Sequence, residues 1–93
     1  MKTQLYDAAE YLTSPVRIAA YLTEAFETGD SEFIAQAIGN AARAQGITEV
    51  AKAAGLTTEN LYRTLNTGGH PEFGTVMRVL GALGVRLEAR PKA

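Results

Sequence analysis

Ninety-three residues, 46% of them hydrophobic, describe one small domain with a single core, a size at which a partner subunit is a natural source of extra stability. The absence of cysteine excludes disulfides, thiolate metal ligands and cysteine nucleophiles, and fits a reducing cytoplasm. A net charge of −1 excludes a strongly basic, non-specific nucleic-acid coat but is neutral towards a small sequence-specific binder.

MKTQLYDAAEYL lacks a signal-peptide pattern, and no run approaches the roughly 18 apolar residues of a membrane span. The expectation is a soluble, cytoplasmic chain without membrane contact. Its charge is polarised along the sequence. Lys2 and Arg17 face Asp7, Glu10, Glu24, Glu27, Asp30 and Glu32 in the first third. From Arg78 onward, Arg78, Arg86, Arg90 and Lys92 face only Glu88. Such a split suits an acidic surface for a basic partner and a basic one for phosphate, although ordinary solvated surface produces it too.

Residues 1–13 show no decisive period and fit either a helical turn or an extended segment. Ser14-Pro15 marks a helix start, serine as cap and proline in the first position, with Ile18, Leu22, Ala25 and Phe26 along one stripe. Gly29 ends it. Asp30 then caps a second helix whose stripe is Ile34, Ala37, Ile38 and Ala41, running to Gly46.

Over 47–66 the chain predicts two short helices joined by a turn. Thr48 is placed to cap the first, with Val50, Ala51 and Ala54 on one face. Gly55 ends it in the left-handed conformation, and Leu56 drops into the core. Thr57 caps the next helix, which carries Leu61 and Leu65 one turn apart. A small residue four positions before a turn glycine and a leucine six after it is the spacing of a DNA-binding helix-turn-helix. A plain alanine-rich helical hairpin uses the same pattern.

Asn66 to Pro71 forms a loop. Pro71 is expected in the first turn of a fifth helix carrying Val76, Val79, Leu80 and Leu83 and closed by Gly84. Val85, Leu87 and Ala89 then alternate with Arg86, Glu88 and Arg90, a two-residue period that predicts a short strand over 85–90. That strand needs a partner, either the N-terminal segment or another molecule, most simply a twin across a two-fold axis. The fold class is therefore all-α, five helices with a short C-terminal strand.

Enzymatic readings find no residues to build on, so the chain is expected not to be an enzyme and to hold no cofactor or metal. His70 is the single histidine and lies in a glycine loop, while both serines, Ser14 and Ser31, fall where helix starts are expected. The sharper candidates lie on the fourth helix. Thr57, Thr58, Glu59, Tyr62, Arg63 and Asn66 are types that reach base edges or phosphates: arginine to guanine or phosphate, asparagine to adenine, glutamate to the cytosine amino group. Thr57 doubles as a cap, and Tyr62 and Glu59 have ordinary packing and helix-start roles. Lys52, with Arg43 and Gln45 before the motif, is a candidate for backbone contact.

The segments YDAAEYLTSP, AAYLTEAFETGD, IGNAARAQGITEVAKAAGLTTENLYRTLN and PEFGTVMRVLGALGVRLEA, in that order over nearly the full length, resemble the helix-turn-helix addiction-module antidote proteins, the HigA-like antitoxins. The resemblance implies a lambda-repressor-like domain that dimerises, binds its own operator DNA as an autorepressor, and neutralises a small basic toxin of the RelE/HigB-like class. Thr57 to Leu65 becomes the DNA-reading helix. Members of the family often carry a basic residue where this chain has Thr58. The alternatives are a stand-alone helix-turn-helix regulator, and a protein-interaction module without DNA binding.

Overall fold

Five helices follow one another from Pro15 to Ala82 in the computed structural model, which describes residues 11–66, 68 and 70–92. The first ten residues, where the sequence leaves helix and extended chain open, lie outside the described part. Helix α1, Pro15–Glu27, starts as its sequence dictates: Ser14 Oγ accepts from the Arg17 N–H at 3.3 Å and Pro15 occupies the first position. Its buried stripe is Ile18, Leu22 and Ala25, one residue per helical turn on a single face. Helix α2, Ser31–Gln45, is capped by Asp30, whose carboxylate accepts from the Glu32 and Phe33 N–H groups at 3.1 and 3.2 Å.

Helix α2 is the centre of the fold. Ala35, Ala37, Ile38, Gly39, Ala41 and Ala42 are all buried, a wider band than the Ile34, Ala37, Ile38 and Ala41 stripe the period predicts. Besides α1, the helix packs against α3, Ile47–Ala54, and α4, Thr58–Leu65. Its small side chains let those neighbours approach closely. The fifth helix, α5, Phe73–Ala82, packs on α3. Leu12, Leu22, Ile38, Leu61, Val79 and Leu80 fill the shared core, and each large aliphatic side chain buried there contributes about 1.5–3 kcal/mol.

Two glycine turns share one geometry. At Gly55 (φ +75) the Leu56 N–H reaches the Ala51 carbonyl at 2.8 Å and the Gly55 N–H reaches Lys52. At Gly84 (φ +82) the Val85 N–H reaches Leu80 at 3.0 Å and the Gly84 N–H reaches Gly81. Both are paired 6→1 and 5→2 bonds that satisfy the last helical carbonyls, with an apolar residue after the glycine folding back on the core.

Three local expectations are corrected. Thr48 does not cap α3: the helix already begins at Ile47, and Gly46 at φ 107 turns the chain straight out of α2 without any side-chain cap. Pro71 lies outside α5, which begins at Phe73 after Glu72 in extended conformation (ψ 131); Thr75, buried in the first turn, donates its hydroxyl to Glu72 at 3.2 Å. The expected strand over 85–90 is not formed. Among the described residues no second strand stands beside this segment, and a lone extended chain has no ladder to complete.

Candidate nucleic-acid interface

The eight residues of α4 divide cleanly around the helix. Leu61 and Leu65 are buried, Thr58 and Thr64 are half-buried, and Glu59, Asn60, Tyr62 and Arg63 are exposed, as is Asn66 at the helix end. At 100° per residue, Glu59, Arg63 and Asn66 share the face opposite Leu61, and Tyr62 lies on its flank. Burial of the leucines on α2 therefore aims the polar face away from the body. Thr57 fixes the helix start, its Oγ1 accepting from the Asn60 N–H at 3.0 Å. That bond occupies one of the first-turn N–H groups and leaves others directed out of the helix end.

Arg63 is held in place. Its Nη1 donates to Asn60 Oδ1 at 2.7 Å, one helical turn back. Asn60 is absent from the residues singled out in the sequence. The signal that could have found it is the three-residue spacing from Arg63, which brings two helical side chains together.

Across from α4, Glu32, Gln36 and Arg43 of α2 face Tyr62, Leu65 and Asn66 over an open cleft of about 340 Å³. Arg43 Nη2 donates to Asn40 Oδ1 at 2.7 Å, and Asn40 Nδ2 donates to the Tyr21 hydroxyl at 2.9 Å. This chain of bonds carries Arg43 from α1 through α2 to the cleft wall. Gln45 has a different task from the backbone contact its position suggests, because its Nε2 donates to the Leu12 carbonyl at 3.0 Å and straps the N-terminal segment to α2. Lys52, exposed on α3, does not line the cleft. Among the described residues no group of three or more His, Cys, Asp or Glu side chains is placed to hold a metal ion, and no helix is long and apolar enough to cross a membrane.

The profile of a family described as probable addiction module antidote protein matches residues 2–91. The chain belongs to that family. A relative, an uncharacterized protein of Haemophilus influenzae, is 39% identical over 85 residues, which cover 91% of this chain and 88% of the relative. No solved structure matches. For this antidote-family chain the structure brings Tyr62, Asn66 and Arg43 to one cleft, and Glu59 and Arg63 to the adjoining outer face of α4. Thr57 and Thr58 lie at the helix start, Thr57 engaged in capping and Thr58 half turned towards the body.

Proposed function

We propose that this chain is the antitoxin of a type II toxin–antitoxin module, a cytoplasmic, non-enzymatic dimer that binds its own operator DNA as an autorepressor and neutralises a small basic RelE/HigB-like toxin by direct contact. Membership of the antidote family supports the antitoxin role. The observation that carries the DNA half is the outward face of α4. There Glu59, Tyr62, Arg63 and Asn66 stand clear of a core that Leu61 and Leu65 anchor.

In this reading α3, the Gly55 turn and α4 form a helix-turn-helix with α4 in the major groove. Arg63 donates to guanine or phosphate, Asn66 pairs with adenine, and Glu59 accepts from a cytosine amino group. Tyr62, Arg43 and Lys52 contact the phosphate backbone, and the Thr57-capped helix start directs its free N–H groups at a phosphate. Half-buried Thr58, at the helix start, reaches a base methyl or a phosphate oxygen. The exposed Glu24, Glu27, Asp30 and Glu32 around the α1–α2 turn suit a basic protein partner.

A gel-shift titration against the chain's own upstream DNA, with and without the neighbouring basic gene product, tests both halves. The expected result is a shift that weakens steeply with salt, as phosphate contacts release counterions. No shift at low salt, from the chain alone or from the complex, removes the DNA half. Failure of the neighbouring product to co-purify removes the antitoxin half.

A further inference from the structure

We propose that residues 85–89 pair with the same residues of a second copy as an antiparallel two-stranded ribbon centred on Leu87. This inference deepens the dimer of the proposed function and rests on it.

The tail leaves α5 already extended. After the Val85 N–H bond to Leu80, no backbone hydrogen bond involves 86–92 among the described residues, so a row of donors and acceptors stands open. Glu88 and Arg90 approach to 3.8 Å, as neighbours two apart do when they share one side of an extended chain. On the other side Val85 is half-buried, Leu87 keeps 38% of its surface exposed, and Ala89 is exposed. The root of the tail lies on Pro15: a Cβ placed on Gly84 would lie 3.2 Å from the proline ring. The next residue, Val16, is 79% exposed, so apolar surface borders the place where the tail departs.

The side-chain order selects the partner and the register. Centring an antiparallel pair on Leu87 sets leucine opposite leucine, Val85 opposite Ala89, and Arg86 opposite Glu88 twice, once on each side of the axis. Opposite charges facing each other stabilise such a pair, and like charges destabilise it. Centring on Arg86 or Glu88 sets identical charges face to face. Centring on Ala89 also sets Glu88 opposite Arg90 twice, but it places Leu87 opposite Pro91, which has no N–H to give, and Arg86 opposite Lys92, two like-charged pairs. Registers centred between residues put apolar side chains opposite charged ones. A sequence that complements itself in this way fits a second copy of the same chain.

The native chain has no cysteine, so single cysteines placed at 86, 87, 88 and 89 of the full-length protein report the register directly. Only a pair directly opposite across the axis lies within disulfide reach. Oxidation is expected to convert Leu87→Cys to a covalent dimer and to leave the other three largely monomeric on a denaturing gel. By sedimentation, Arg86→Glu and Glu88→Arg are each expected to weaken dimerisation about tenfold, and the double exchange to restore it. Strongest cross-linking at 86, 88 or 89, a dimer indifferent to both exchanges, or a chain monomeric at every concentration overturns the proposal. So does a tail that cross-links only to a basic partner protein. None of these readouts involves DNA, so their failure is distinct from failure of operator binding in the gel shift.

Discussion

Arg63 meets any ligand with its guanidinium already fastened, since the 2.7 Å bond to Asn60 Oδ1 restrains a side chain that would otherwise sample many rotamers on the surface. A restrained donor loses less freedom on binding. Arg63→Ala is therefore expected to weaken operator binding by roughly 1–3 kcal/mol. Asn60→Ala costs less, and the double variant costs no more than Arg63→Ala alone, because Asn60 acts through the arginine. Fluorescence anisotropy on labelled operator measures the cycle, and strictly additive losses would show that the two act separately. Thr57 is a second residue-scale case. Its hydroxyl satisfies the Asn60 N–H, so Thr57→Ala is expected to lower unfolding free energy by about 1 kcal/mol in a urea titration.

At the scale of elements, the sequence declares what is settled within one turn of chain. Ser14, Asp30 and Thr57 cap because their side chains reach N–H groups two or three residues on, and Gly55 and Gly84 stop helices because their backbones adopt positive φ. The breadth of burial on α2 depends on three helices arriving from elsewhere, and no period within 31–45 encodes it. Thr48 and Pro71 mislead for the related reason that each competes with a neighbour, Gly46 or Glu72, for the same helix start. Glycine substitutions separate local from spatial demands. A Cβ on Gly39 would lie 3.5 Å from the Arg43 side chain and 3.7 Å from Leu65 Cδ1, ordinary contact distances, in the middle of α2. Gly39→Ala is expected to raise stability by about 0.5–1 kcal/mol through helix propensity. Gly55 has open space around it but sits at φ +75, so Gly55→Ala is expected to lower stability by about 1–2 kcal/mol. Equal effects at the two positions in thermal unfolding would refute that distinction.

For the whole molecule, the exposure of Glu59, Tyr62, Arg63 and Asn66 was legible because Leu61 and Leu65, one turn apart, take the buried side of α4. The cleft joining Tyr62 and Asn66 to Arg43, and the strap from Gln45 to Leu12, were not, since each joins positions far apart in the chain. The tail illustrates the reverse: its two-residue period is plain in the sequence, yet a strand is a property of two segments. Among the described residues nothing beyond Leu83 belongs to the fully buried core. Removing 87–93 is therefore expected to leave helix content by circular dichroism unchanged, and a loss of helix would place the tail in the core. The Gly84 turn has a consequence for distance. The Val85 N–H bond to Leu80 and the close approach of Gly84 to Pro15 fix the point where the tail leaves the body. That point is tied to α4 through α3, on which both α5 and α4 pack. Two bodies joined through such tails would hold their α4 helices at a set separation and phase, and an operator would have to match that spacing along the turn of the duplex.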